Sequence, residues 1–182
     1  MERYRIHPHD AAVYYCTFAV ANWLPVFVSE PACRIIGDSL RFCHDQKALG
    51  VDSFVIMPTH LHLIVFDREW QSERLPHTLN ELRRFTGHKL VESCRQQMPA
   101  CSVEIFQAAA GSDRAHRFWQ ATRHPEAITT ERFHSQKRDY LHDNPRRKGL
   151  VRWPGDWRWS SARWYETNRD ADCDVPITPI LW

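Results

Sequence analysis

The chain has 182 residues and a formal net charge of +2, and 43% of its residues are hydrophobic. This length and apolar content predict one folded domain with a hydrophobic core and exclude an intrinsically disordered chain. No apolar run reaches the length of a membrane span and the N-terminus leads into no apolar segment, so we expect neither a transmembrane helix nor a signal peptide. The six cysteines lack C-x-x-C spacing, which argues against a zinc knuckle or a disulfide framework and favours a cytoplasmic protein.

The first half of the chain predicts a strand, a helix and a β-hairpin. Aromatic and β-branched residues over 12–20 predict the strand. Apolar residues at helical spacing over 30–49 predict the helix, with Gly50 as its C-terminal stop. Two apolar runs, 52–57 and 60–66, are separated by two residues and are typical of a hairpin.

The second half predicts two longer helices with a less regular segment between them. A capping-box pattern that starts at Thr78 predicts a helix to about Gln97. Its expected inner face consists of Leu79, Leu82, Phe85 and Leu90. The remaining expected elements are a strand or loop over 101–110, a turn over 111–114, a short strand over 116–121 and a helix over 129–144 that Pro145 stops.

This order of elements predicts an α+β fold in which helices pack on one face of an antiparallel sheet. The sequence shows no internal repeat and no second-domain boundary, so we expect residues 1–182 to form a single domain. Within it, residues 151–182 are a C-terminal extension rich in tryptophan and proline. Tryptophans in such an extension either fold against the core or stack on bases, and folding is the commoner outcome.

Two histidines, His60 and His62, lie one residue apart in the second strand of the hairpin. Side chains alternate along a strand, so both imidazoles point to one face, with Cα atoms roughly 7 Å apart. Two imidazoles at this spacing can converge on one metal ion. The pattern alone is weak, because the chain has 11 histidines and repeats it at His7 and His9, where Pro8 favours a loop or a strand edge. A purely structural histidine pair therefore remains an alternative.

The last expected helix carries Tyr140 and Asn144, which lie on one helix face because they are four residues apart. Taken alone, a tyrosine at this position is more often a core aromatic residue of an amphipathic helix. Asparagine is unfavourable inside a helix, and the position before proline disfavours the helical conformation, so Asn144 is expected to be a C-terminal cap or an oxygen ligand. His142 is two residues from Tyr140 and is expected to point away from it, either as a packing residue or on the side of a bound substrate.

Together these motifs resemble those of the single-tyrosine HUH transposases, and in particular their branch of REP-associated tyrosine transposases. Four segments carry the resemblance and occur in the family's order: Met57 to Val65, Phe118 to Gln120, Tyr140 to Val151 and Trp157 to Tyr165. Three features depart from the family pattern. They are Asp143 where an apolar residue is common, the strongly basic run 146–148, and the less aromatic segment 121–124.

The resemblance implies a ferredoxin-like core, a divalent metal ion and single-stranded or hairpin DNA as the substrate. By motif position, it implies that Tyr140 is the catalytic nucleophile and forms a 5′-phosphotyrosine intermediate. It also implies His60, His62 and Asn144 as the metal ligands, with Mg²⁺ or Mn²⁺ as the ion. Such an intermediate retains the phosphodiester energy, so that a DNA strand can be rejoined without ATP.

Basic residues in and after the last expected helix are candidate phosphate contacts: Lys137, Arg138, Arg146, Arg147 and Lys148. A DNA substrate further implies a cytoplasmic, nucleoid-associated protein without a membrane partner, and both a monomer and a homodimer remain open. Three other functions also remain open. They are an inactive DNA-binding descendant of the family, a metal-dependent hydrolase that uses water, and an interaction domain with structural histidines.

Overall fold

The computed structural model describes residues 12–71, 73–111, 115–121 and 125–182, and within them four strands form one antiparallel sheet. The strands are β1 (Val13–Ala19), β2 (Leu49–Met57), β3 (His60–Asp67) and β4 (Glu126–Ile128). The helices are α1 (Glu30–Lys47), α2 (Arg74–Gln97), α3 (Ala100–Ala108), α4 (Glu131–Arg147) and α5 (Ala162–Thr167). The expected His7-x-His9 segment and most of the expected turn over 111–114 lie outside the described residues.

The sheet order is β2-β3-β1-β4. Helix α1 connects β1 to β2, and α2 with α3 connects β3 to β4, so each connection joins two strands that are separated in the sheet by one other strand. This is the ferredoxin-like arrangement of two split β-α-β units, so the expected α+β class is confirmed. Among the helices of the described segments, none combines the length and the hydropathy that a membrane crossing requires.

The sheet carries an apolar core on each face, because side chains alternate along its strands. On one face, Phe18 of β1 belongs to the core that includes Ile36 of α1 and Leu79 of α2. On the other face, Tyr15 of β1 belongs to a second core with Leu141 of α4. The expectation that the helices share one face therefore holds for α1 and α2. It needs correction for α4, which covers the opposite face because the sheet is apolar on both sides.

A β-bulge at Asp52 interrupts the pairing of β2 with β3: Val51 and Ser53 pair with consecutive residues of β3, which leaves Asp52 unopposed. The Asp52 carboxylate is completely buried, and His134 Nε2 of α4 lies 3.0 Å from its Oδ2 atom. The Ser53 hydroxyl donates to Oδ2 and the backbone N–H of Ile180 donates to Oδ1, both at 2.9 Å. Burial alone would raise the pKa of Asp52, but these contacts together hold it below its ordinary value.

The C-terminal extension lies along β2 and folds against the core, which was the commoner of the two expected outcomes. The backbone N–H of Ile56 donates to the Trp159 carbonyl at 2.8 Å, and that of Thr178 donates to Val51 at 2.9 Å. The indole N–H of Trp157 donates to the Ile56 carbonyl at 2.9 Å. These bonds use the polar groups of a strand that is otherwise at the edge of the sheet, which protects that edge from pairing with another chain.

Several element boundaries in the first half differ from the expected ones for local reasons. Ala48, with φ of 51°, takes the left-handed conformation that ends α1, whereas Gly50 belongs to β2. A side chain at Gly50 would collide with the ring of Phe66, so the glycine serves packing rather than helix termination. Helix α2 already begins at Arg74, and Thr78 is a buried residue within it instead of its cap.

Other boundaries differ in the second half. Phe85 is exposed, so it does not belong to the inner face of α2. The ambiguous segment over 101–110 forms most of α3. The fourth strand lies at 126–128 instead of 116–121, where Trp119 forms only an isolated bridge to Val20, just after β1. Helix α4 continues through Pro145 to Arg147, since the missing proline N–H affects only its last turn.

Replacing Asp52 by asparagine is expected to lower the free energy of unfolding by about 3 kcal/mol, because a buried partner of His134 loses its charge. The folded-state pKa of Asp52 is lowered. Its contribution is therefore present above the unfolded-state pKa of ~3.9 and is lost as the pH falls through the folded-state value. Urea unfolding of both proteins at pH 7 and pH 3 measures this, and the difference should shrink at pH 3. Asp38→Asn, on the exposed side of α1, is the control; an equal effect of both substitutions would contradict the anchoring role.

Candidate functional site

His60 and His62 lie at the beginning of β3, on the face of the sheet that α4 covers. Both rings point to this face, as the strand alternation indicated, and their centroids are 4.6 Å apart. The strand register places His62 between Thr17 of β1 and Val55 of β2, so its backbone is held from both sides. His62 is buried and His60 is partly buried.

Both imidazoles are neutral at pH 7. Burial lowers the pKa of His60 to about 4, with a smaller contribution from the positive charge of Lys148. Burial, followed by the influence of His60 and Lys137, lowers the pKa of His62 to about 3. A neutral imidazole has a lone pair to donate, and this is the form that binds a metal ion.

Hydroxyl groups engage the Nδ1 atom of each histidine. The hydroxyl oxygens of Tyr15 and Thr17 both lie 2.8 Å from Nδ1 of His62, and that of Thr59 lies 2.9 Å from Nδ1 of His60. The Tyr15 ring also stacks on the His62 ring, with centroids 5.3 Å apart. Since Nδ1 is engaged in both rings, the two Nε2 atoms are the ones left for a metal ion, and this division of roles is usual for metal-binding histidines.

Among the described residues, no group of three histidine, cysteine or carboxylate side chains could hold a metal ion, so a third protein ligand from these residues would have to be of another type. Asn144 meets this requirement. It is buried one helical turn after Tyr140, and in the described parts of the chain no hydrogen bond holds its carboxamide. Its backbone carbonyl accepts the N–H of Lys148 at 3.1 Å near the end of α4, so a C-terminal role for its backbone and a ligand role for its side chain are compatible.

Two tyrosines approach His62, and only one of them is accessible from outside. The Tyr140 ring lies 6.1 Å from the His62 ring, and its side chain is 43% exposed. Tyr15 is 5% exposed, and burial raises the pKa of its phenol, so this hydroxyl stays protonated and is occupied by His62. The Arg147 guanidinium lies 5.1 Å from the centre of the Tyr140 ring. Of the two phenols beside His62, that of Tyr140 is therefore the one that a large substrate can reach.

The five basic residues expected to contact phosphate differ in whether their side chains already contact a carboxylate or an aromatic ring of the protein. Lys137 lies 2.6 Å from the Glu126 carboxylate and 4.7 Å from the centre of the Tyr15 ring, and Arg138 lies over the ring of Tyr165. Arg146 forms a double hydrogen bond with Asp143, which accounts for the departure at that position. Arg147 and Lys148 are exposed beside Tyr140 and His60, respectively.

His142 points away from the histidine pair and packs inside the protein. Its Nε2 atom lies 2.8 Å from the Ser161 hydroxyl, and its ring lies 5.2 Å from that of Tyr165. Burial lowers the pKa of His142 to about 4, so the ring is neutral at pH 7. The structure therefore assigns it to packing, which is one of the two roles expected from its position.

Sequence reasoning did not identify Tyr15 and Thr17 as site residues. Both lie in the β1 stretch that alternation places on one face together with Val13. The alternation along β1 could have placed Tyr15 and Thr17 on one face of the sheet. It could not have placed Thr17 opposite His62, because that pairing depends on the register of two strands far apart in sequence.

No protein-family model matches the sequence, and no curated protein matches it. The fold is similar to that of a solved structure of a REP-associated tyrosine transposase bound to a REP hairpin. The match covers 99% of this chain and 95% of the other, with a TM-score of 0.58 and 18% sequence identity. At this identity the similarity shows a shared fold over the whole chain, and it agrees with the family resemblance of the motifs.

Tyr15→Phe and Thr17→Val are each expected to weaken Mn²⁺ binding about tenfold, because the His62 ring loses a group that orients it. Isothermal titration with Mn²⁺ measures the affinity without any DNA, and Thr17→Ser, which keeps the hydroxyl, should restore it. The matched control for the tyrosine is Tyr165→Phe, because the Tyr165 hydroxyl donates to the Asp52 carbonyl and does not contact His60 or His62. Unchanged Mn²⁺ affinity in both Tyr15→Phe and Thr17→Val would contradict their role in orienting His62.

Proposed function

We propose that this chain is a metal-dependent DNA strand transferase of the HUH transposase type, which cuts and rejoins single-stranded DNA beside a hairpin. One observation carries the proposal: the exposed phenol of Tyr140 lies next to the neutral, same-facing imidazoles of His60 and His62. The similar fold that was solved with a REP hairpin supports hairpin DNA as the partner. A purely structural histidine pair would need no accessible nucleophile beside it.

In the proposed reaction, the hydroxyl oxygen of Tyr140 attacks the phosphorus of one phosphodiester and the bond from phosphorus to the 3′ oxygen breaks. The phenolic proton passes to solvent and the departing 3′ oxygen takes up a proton. The products are a 5′-phosphotyrosine and a free 3′ hydroxyl, with no bond lost to water. Attack by a 3′ hydroxyl on the same phosphorus releases Tyr140 and rejoins the strand, so one residue supports both cutting and resealing.

His60, His62 and Asn144 would hold a divalent ion, and their two nitrogen and one oxygen donors fit Mn²⁺ by ligand type, with Mg²⁺ as the more available choice. When bound, such an ion supplies Lewis-acid polarisation of the phosphoryl oxygen. The protein's own contribution is positioning: β3 fixes both imidazoles, and the packing of α4 on the sheet limits the positions that Tyr140 can take. The Arg147 guanidinium lies 5.1 Å from the centre of the Tyr140 ring, where it would meet the negative charge of an approaching phosphate.

DNA as a substrate also accounts for the exposed Arg147 and Lys148 at the end of α4, since both would meet phosphates that approach Tyr140. Lys137, Arg138 and Arg146 are proposed as weaker contributors, because carboxylates or aromatic rings already engage them. A role in DNA recombination would place the protein at the nucleoid in the cytoplasm. An inactive DNA-binding descendant of the family is the alternative function.

Tyr140→Phe is expected to abolish covalent attachment of the protein to DNA, because the attacking oxygen is removed while the ring remains. The assay incubates the protein, Mn²⁺ and a pool of hairpin oligonucleotides with single-stranded flanks. It then detects protein joined to a 5′ DNA end on a denaturing gel. His60→Ala and His62→Ala should also lose the adduct, whereas His88→Ala, on the exposed side of α2, should retain it.

The alternatives give different results in the same assay. Cutting that persists in Tyr140→Phe without an adduct would indicate a hydrolase that activates water. DNA binding without any cutting by the unsubstituted chain would indicate the inactive descendant. Absence of both binding and cutting would leave an interaction domain.

Arg147→Ala and Lys148→Ala are each expected to weaken binding of single-stranded DNA and to reduce the slope of log affinity against log salt by about 0.7, the value for one phosphate contact. Fluorescence anisotropy at several salt concentrations measures this, in the Tyr140→Phe background to prevent cutting. Arg146→Ala should change the slope less, because Asp143 already pairs with it. Arg84→Ala on exposed α2 is the control, and a slope change in it equal to that of Arg147→Ala would contradict a localised DNA path.

A further inference from the structure

We infer that Trp23 is a stacking platform for a nucleobase next to the cleaved phosphodiester, an inference that rests on the proposed function. Trp23 lies in the short 3-10 turn Ala21–Trp23 that follows β1. Its side chain is 54% exposed, and its ring stands edge-on against the His60 ring, with centroids 5.7 Å apart and planes at 81°. The chain therefore presents a large aromatic surface to solvent at the border of the histidine pair.

The backbone holds Trp23 in this position against its own conformational preference. Asn22 and Trp23 are consecutive residues with φ of 52° and 55°, in the left-handed region that side chains other than glycine rarely adopt. The Val20 N–H donates to the Thr59 carbonyl at 3.0 Å, and the Trp23 N–H donates to the Val20 carbonyl at 2.9 Å. The strained turn is thus tied to the hairpin connection directly before His60. Backbone strain of this kind is frequent at ligand-binding positions.

The indole of Trp23 is also available for a ligand, unlike those of several other tryptophans. Trp119, Trp157 and Trp164 donate their indole N–H to protein oxygens at 3.1, 2.9 and 2.9 Å. In the described segments, the N–H of Trp23 has no such acceptor. An indole with a free face and a free N–H can stack on any base and donate to its edge or to a phosphate.

The distance to the proposed chemistry selects a nucleobase as the ligand. In the proposed reaction the phosphate lies between the histidine pair and Tyr140. The base of an adjoining nucleotide is only one sugar away from that phosphate. Because Trp23 touches His60, that base comes within reach of the indole face. Stacking there would align the strand for attack by Tyr140 and would tolerate different bases, since every base has an aromatic face.

The chain offers a matched control in Trp70. It is 60% exposed, has φ of 57° and stacks on the ring of Phe66 at 5.4 Å. It therefore shares the exposure, the strained backbone and the aromatic contact of Trp23. It lies beyond the opposite end of β3, however, away from the histidines.

The experiment uses the full chain carrying Tyr140→Phe, Mn²⁺ and a hairpin oligonucleotide whose cleaved bond has been mapped with the unsubstituted protein. Two further oligonucleotides lack the base on the 5′ or the 3′ side of that bond. Trp23→Ala is expected to weaken binding of the intact oligonucleotide about tenfold, as lost stacking requires, and to leave binding of one abasic oligonucleotide unchanged. Trp23→Phe should lose less affinity because it keeps a ring, and Trp70→Ala should bind all three like its parent.

Equal losses on the intact and both abasic oligonucleotides, or no loss at all, would overturn the stacking role. So would weaker Mn²⁺ binding by Trp23→Ala without DNA, because the indole would then support His60 rather than a base. Trp23→Phe keeps the test informative if the alanine variant unfolds. If the unsubstituted protein cuts no oligonucleotide, the proposed function itself fails. If it cuts while Trp23 shows no dependence on the base, only the stacking inference fails.

Discussion

The contacts of the buried Asp52 carboxylate determine how α4 and the C-terminal extension are placed on the sheet. Burying an ionised carboxylate costs free energy unless hydrogen bonds or an oppositely charged group compensate for the lost water. Most of the groups that contact Asp52 come from distant parts of the chain. His134 belongs to α4, and Ile180 belongs to the C-terminal extension. The hydroxyl of Tyr165 in α5 donates to the Asp52 carbonyl at 3.0 Å. One bulged residue in β2 therefore joins the sheet, α4 and the extension into a unit.

A second polar contact fixes the other half of α4. His142 meets the Ser161 hydroxyl, and Ser161 in turn bonds to both backbone groups of Phe54 in β2. With Leu141 in the second core, the inner side of α4 is held to the sheet over two turns. Tyr140 lies beside this inner stripe rather than within it, which explains why its ring reaches His62 while much of it stays exposed.

Local sequence patterns were sufficient to predict the relative placement of site residues that lie close together in sequence. Strand alternation places His60 and His62 on one face, and helical spacing places Tyr140 beside Asn144, whatever the rest of the chain does. The side of the sheet that α4 covers could not be predicted this way, because it depends on the bulge at Asp52 and on apolar residues on both faces. Helix α3 shows a further limit. Its apolar residues Cys101, Val103 and Ile105 alternate with polar ones as in a strand. Strand β4 is only three residues long and leaves too short a pattern.

The site combines a rigid part with a less constrained part, and the proposed chemistry needs both. His62 sits in a central strand with two hydroxyls on one ring nitrogen, so its position is fixed before any ligand arrives. The Tyr140 hydroxyl has no hydrogen-bond partner in the described part of the chain, and its side chain borders solvent. A nucleophile that forms and then releases a bond to DNA has to approach a phosphate and accommodate the attached strand. The groups that orient the phosphate must stay in place, since small displacements slow attack. Anchoring α4 only through its inner side meets both requirements.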